Sequence, residues 1–206
     1  MGDPRAASEG TVLHEQLENR PLLRTSELLE VVPGLIVTQH TGDGGATEAS
    51  RPSRRHGVEL SLYARQVDWV IVNADLAWSK SRFRDDEPAG DRIPGAVERV
   101  ASLGVTFDHD SRWFGGARLR YLGPSALIED NSVRAPETFL VNLEVGRRFN
   151  DHFKLRLGLY NALDSDASDI RYYYESQLPG EAAAVVDIHF HPVEPRTVRL
   201  TVEANL

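Results

Sequence analysis

Val141-Asn142-Leu143-Glu144-Val145-Gly146, followed shortly by Lys154-Leu155-Arg156-Leu157-Gly158-Leu159, decides the fold. In both segments an apolar side chain alternates with a polar one or with glycine. A period of two belongs to an extended strand whose faces meet different surroundings. Asn150-Asp151 between the segments supplies turn chemistry, so the pair reads as a hairpin of two half-apolar strands.

The same period runs through five more segments. Val58, Leu60, Leu62 and Ala64 share a face, as do Val70, Val72, Ala74, Leu76 and Trp78. Ala101 to Phe107, Trp113 to Tyr121 and Val198 to Val202 repeat the pattern. Short connections at Gln66–Asp68, His109–Ser111 and Asn150–Asp151 alternate with long ones at 81–94, 123–136 and 164–195. One end of the sheet should carry tight turns and the other long loops, as transmembrane barrels do. The expected class is all-β: an antiparallel meander of about seven to eight long strands forming a partial or small membrane β-barrel. Strands of about 9–11 residues cross a bilayer when tilted.

Alternation leaves two arrangements open. In a membrane barrel the apolar face meets lipid; in a soluble sandwich or lipocalin-like barrel it points inward. Asp75, Arg118, Arg120, Glu144, Lys154, Arg156, Arg199 and Glu203 lie on the polar face, which suits a wet lumen. Trp69, Trp78, Phe107, Trp113, Phe139 and Tyr160 fall near strand ends, like interfacial girdles. The alternative is a small soluble antiparallel β-domain that binds a ligand or partner through its long loops.

Composition narrows the function. Acidic residues outnumber basic ones 31 to 23, for a net charge of −8, and no basic face suited to nucleic acid is evident. With no cysteine there is no disulfide framework and no thiolate metal site. No stretch approaches a spanning helix, and Met1–Gly10 lacks the apolar core of a signal peptide. The run Arg51 to Arg55 and the acidic Arg84-Asp85-Asp86-Glu87 read as solvated linker and loop. No nucleophile or acid–base constellation is recognisable, so neither enzyme activity nor a cofactor is expected.

The first fifty residues differ in texture. Ser26 is placed to cap a helix over Leu22 to Val32, which Pro33-Gly34 ends; Leu35 to Gln39 then reads as a short strand. Arg20-Pro21-Leu22-Leu23-Arg24 and Glu27-Leu28-Leu29-Glu30-Val31-Val32-Pro33-Gly34-Leu35 resemble the opening of the plug of TonB-dependent outer-membrane receptors. Arg92-Ile93-Pro94-Gly95 is similar to an entry into one of that family's barrel strands. Val145-Gly146-Arg147-Arg148-Phe149 and Leu157-Gly158-Leu159-Tyr160-Asn161-Ala162-Leu163-Asp164 resemble its penultimate strand with an N-x-x-D ending, and Pro195-Arg196-Thr197-Val198 its closing strand.

The resemblance implies a fragment: residues 1–46 from the plug, 47–53 a junction, and 54–206 the last barrel strands. It further implies uptake of a scarce solute, a ferric siderophore or cobalamin, across the outer membrane, with TonB and outer-membrane lipid as partners. The intact family encloses its plug in 22 strands, so this chain is expected not to transport alone. Val185–Phe190 or Leu35–Gln39 are the candidates for an eighth strand. His189 and His191 alternate on one side of an extended segment and form the best metal-like pair. Tyr172, Tyr173 and Tyr174 are the candidates for stacking on a ligand at the outer mouth.

Overall fold

The computed structural model describes residues 51–204, and they are all-β. The proposed plug helix, the strand at Leu35–Gln39 and the residue 1–46 boundary lie outside the described residues. Eleven strands follow in order: β1 (Ser53–Val67), β2 (Val70–Phe83), β3 (Arg99–Asp108), β4 (Trp113–Leu122), β5 (Ser125–Ala126), β6 (Arg134–Ala135), β7 (Thr138–Arg148), β8 (Phe153–Tyr160), β9 (Ser168–Ser176), β10 (Val185–Pro192) and β11 (Thr197–Ala204). Seven of them build one sheet in the order β1-β2-β3-β4-β7-β8-β11, every neighbouring pair antiparallel. These are the seven segments whose alternation the sequence displays.

Register turns the alternation into two continuous faces. Val58 lies opposite Trp78, Leu60 opposite Leu76, Ala74 opposite Leu103, Val105 opposite Ala117, Leu143 opposite Leu159, and Leu157 opposite Leu200. This apolar face is bare: Leu60 is 62% exposed and Leu200 63%. On the central strands the other face is covered, with Arg118 at 5% and Glu144 at 6%. Burial is thus inverted relative to a soluble domain, where the leucines would be inside and the charges outside. A wall of this kind suits hydrocarbon outside and water or polar protein within.

The aromatic residues mark the edges of the bare band. Trp69 and Trp113 lie at the turn end and Trp78 at the loop end, each more than two-fifths exposed. Trp113 and Tyr121, eight residues apart on the outer side of β4, are separated by about 26 Å at the usual strand rise. That matches the apolar band of membrane barrels, about 25 Å tall. Tyr160 does not belong to this girdle. It follows Leu155, Leu157 and Leu159 by an odd step, so it faces inward, 3% exposed.

The three expected turns connect β1–β2, β3–β4 and β7–β8. At the second, Arg112 adopts a positive φ of 69° and its N–H reaches the His109 carbonyl at 2.9 Å. At the third, the Asn150 side chain accepts from the His152 N–H at 2.9 Å. The two turns are tied together: the Arg112 guanidinium donates to the Phe149 carbonyl at 2.8 Å. The long connection 161–196 folds further than its sequence suggests. Its strands β9 and β10 form a separate antiparallel hairpin, so Val185–Phe190 pairs with β9 and does not add an eighth strand to the sheet.

One inner-wall contact fixes how β4 packs on β7. Phe114 is fully buried on the polar side, opposite Gly146, and a Cβ at 146 would overlap its ring. Gly146→Val should therefore destabilise the folded chain by about 1–3 kcal/mol through overpacking. Urea unfolding in detergent micelles, followed by tryptophan fluorescence, should show the lowered midpoint.

Candidate functional site

The inner wall is built from positions that alternate with the bare leucines. On β7, β8 and β11, Arg156 lies between two carboxylates, 3.4 Å from Glu144 and 3.2 Å from Glu203. Lys154 joins Glu203 at 3.6 Å, and the Tyr160 hydroxyl donates to Glu144 at 3.3 Å. Nearer the turns, Arg148 holds Asp108 through two bonds of 2.6 and 2.9 Å. Phe114 lies between the guanidinium groups of Arg148 and Arg156, 4.4 and 5.4 Å from its ring centre. Such a wall can hold polar surfaces or solute against fixed charges of both signs, as charged rings do in pores.

At the loop end, the N-x-x-D segment closes the base of the long connection. Asn161 has a positive φ of 46° and is 2% exposed. Its side chain donates to the carbonyls of Ser165 and Glu194, both at 3.1 Å, and accepts the Ser165 N–H at 2.9 Å. Its own N–H reaches the Asn142 side chain on β7 at 2.9 Å. Asp164, with φ 56°, faces Arg196 across the same loop, at 3.5 Å from the guanidinium. One asparagine thus joins the outgoing limb, the returning limb and the sheet. Beyond it, Thr138 donates to the Ser168 carbonyl at 2.8 Å, and Arg120 approaches Asp169 at 3.8 Å, both side chains buried.

The hairpin carries the expected site residues, but not all on one side. The register opposes Tyr172 to His189, Tyr174 to Asp187 and Ile170 to His191, so Tyr172, Tyr174, His189 and His191 share a face. Tyr173 opposes Ile188 on the other face. His189 stacks on Tyr174 with ring centres 4.0 Å apart, and its Nε2 lies 3.0 Å from the Ser176 hydroxyl. Among the described residues, no group of three or more His, Cys, Asp or Glu side chains is placed to hold a metal ion.

Two stretches expected to be solvated are tied down instead. Arg51 grips Asp85 at 2.6 and 2.9 Å, donates to the Gly90 carbonyl at 3.0 Å and lies 3.9 Å from the centre of the Phe83 ring. Arg55 donates to the buried Ser81 hydroxyl at 2.7 Å. Gly90 takes a φ of 120°, where any Cβ would strike the Glu129 backbone of the next loop. The sequence gives little sign of these contacts, because Arg51 and Asp85 are far apart along the chain.

A family model matches residues 32–162, described as "TonB dependent receptor-like, beta-barrel". The chain belongs to the TonB-dependent receptor β-barrel family. Solved members share its fold. The ferric-catecholate import receptor Fiu of E. coli K12, in its closed form, superposes with a TM-score of 0.57 at 20% identity, covering 74% of this chain and 21% of that one. The ferric yersiniabactin uptake receptor FyuA of Yersinia pestis gives 0.58 at 18%, covering 74% and 23%. The ferric citrate transporter FecA, unliganded, gives 0.54 at 18%, covering 74% and 24%. The chain spans about a fifth to a quarter of the length of these receptors and transporters. The family is one of outer-membrane receptors and transporters, not of enzymes.

Two outcomes follow from the loop-end contacts. Asn161→Ala removes a side chain that satisfies buried backbone groups on both limbs, at a cost of about 1–3 kcal/mol for each group left unpaired. Limited proteolysis should then cut the hairpin several-fold faster, while the sheet keeps its circular dichroism. The Arg51 guanidinium holds the Asp85 carboxyl below its ordinary value of 3.8. A depressed carboxylate stabilises the folded loop above that value and loses the effect as pH falls through its folded pKa. Protection of loop 84–98 should therefore persist at pH 5 and fade below about pH 4, and Asp85→Asn should weaken this dependence.

Proposed function

We infer that this chain joins the start of the plug to the C-terminal barrel strands of a TonB-coupled receptor for a scarce solute, of the ferric siderophore or cobalamin type, at the outer membrane. The observation that carries the reading is the inverted wall: leucines and valines bare on one face, paired charges covered on the other, in a chain of this family. The turn end then faces the periplasm and the loop end the exterior. Residues 1–46 are assigned to the start of the plug, 47–53 to the junction and 54–206 to the barrel. At the mouth, Tyr172 and Tyr174 form a stacking face for the solute, with His189 on the same face and stacked on the Tyr174 ring. His189 and His191, on one face of the hairpin, are the candidate pair for a metal contact among the described residues, and equilibrium dialysis that shows no zinc bound would overturn it.

The seven-stranded sheet of the described residues bears on competence. Successive antiparallel strands reverse direction, so β1 and β11 run the same way and cannot pair antiparallel with each other. In lipid, each unpaired backbone group at such an edge costs several kcal/mol. The chain therefore forms part of a wall and does not transport by itself. Cells whose only receptor of this class is this chain should show no TonB-dependent growth on ferric siderophores. Growth restored by the chain alone would overturn the assignment of incompetence, and its absence from outer-membrane fractions would overturn the membrane reading.

A further inference from the structure

Arg147 and Arg148 are neighbours with opposite surroundings. Arg148 points inward onto Asp108. Arg147 lies on the bare outer face, opposite Trp113 on β4 and Leu155 on β8. Its guanidinium carbon is 5.3 Å from the Trp113 ring centre and 5.4 Å from that of Phe149. Among the described residues no carboxylate forms an ion pair with it. A cation at this height, on the rim of the apolar band, calls for an anion from the membrane side.

The same face carries an open groove toward the middle of the band. Val105 and Phe107 on β3, Leu143 and Val145 on β7, and Leu157 and Leu159 on β8 stand around Gly116 and Ala117 of β4, with Glu144 of β7 also in the lining. The trough between them measures about 420 Å³. Its lower wall begins at Val145, two residues along β7 from Arg147, or about 7 Å. A cation at one end and an apolar trough running away from it match an amphiphile with an anionic head and a hydrocarbon tail.

We propose that this outer wall binds one glycerophospholipid of the periplasm-facing leaflet, its phosphate on Arg147 and one acyl chain in the trough over Ala117. The proposal rests on the reading above that this face meets lipid. Charge complementarity and the position at the turn end select the occupant. The guanidinium supplies planar donors for phosphate oxygens, and Trp113 and Phe149 flank it as interfacial aromatics do.

The full chain, folded into vesicles of phosphatidylethanolamine and phosphatidylglycerol and extracted in mild detergent, is read by native mass spectrometry. Wild type should retain one phospholipid per chain. Arg147→Gln, which removes the charge, and Ala117→Leu, which fills the trough, should each lower retention about tenfold, while Arg147→Lys keeps most of it. All three substitutions lie on the outer face, and circular dichroism checks that the sheet forms. Equal retention in wild type, Arg147→Gln and Ala117→Leu, or none in any, overturns the site. The same vesicles made with brominated acyl chains separate the two failures. Quenching of Trp78 and Trp113 without selective retention leaves the lipid-facing wall intact and removes only the site; unquenched tryptophans remove both.

Discussion

A strand in a wall between hydrocarbon and water offers one side chain to each at every second step, while its backbone can turn to neither. Both requirements are met here by lateral hydrogen bonding between antiparallel neighbours, from β1 through β11. That pairing fixes the register, and the register decides which side chains are outside. A slip of one residue at any pair would carry the leucines of one strand into the lumen and its charges into lipid. The energetic consequence is steep, because an arginine at mid-bilayer on a barrel costs about 2–4 kcal/mol. The alternation is therefore the chain's defence against misregistration as well as the source of its two faces.

The covered face then has to accommodate charges that are largely removed from water. Removing one member of a buried ion pair costs more than the pair contributes, since the other is left without a counter-charge. Arg156 meets this by standing between Glu144 and Glu203, and Phe114 fills the space beside it at a position where the opposite strand has glycine. Aromatic ring, glycine and crossed charges form one packing unit. It joins β4, β7, β8 and β11 by contacts separate from the backbone ladder.

What was legible in the sequence follows from range. The seven long strands and three tight turns are local patterns of period two and of turn-forming residues, and each was readable. Phase was the finer limit: Tyr160 looks like a girdle residue by position, yet its odd step from Leu159 turns it inward to Glu144. The β9–β10 hairpin was not legible as a separate sheet, because Arg171, Tyr172, Tyr173 and Tyr174 place apolar and polar groups on both faces. Asn161 was visible as part of a family ending, but its role depends on Glu194, 33 residues away. Arg51 likewise meets Asp85 34 residues on, so a charged run that looks solvated is a clamp. Which tyrosines could act together also depended on register, which separates Tyr173 from its neighbours.

The two outer strands set the terms on which the wall can be completed. Nearly every residue of β1 is exposed, on both faces, as expected of an edge with nothing beyond it among the described strands. A second copy inserted in the same orientation does not cure this. It would bring β11 of one copy against β1 of the other in parallel, at both junctions, and the all-antiparallel ladder would be broken twice. An odd number of further strands restores the alternation at both edges, because it begins and ends in the direction opposite to β1 and β11. The parity of the sheet thus favours completion by unlike barrel segments over self-association. It does so through strand direction alone, independent of any side chain on the two edges.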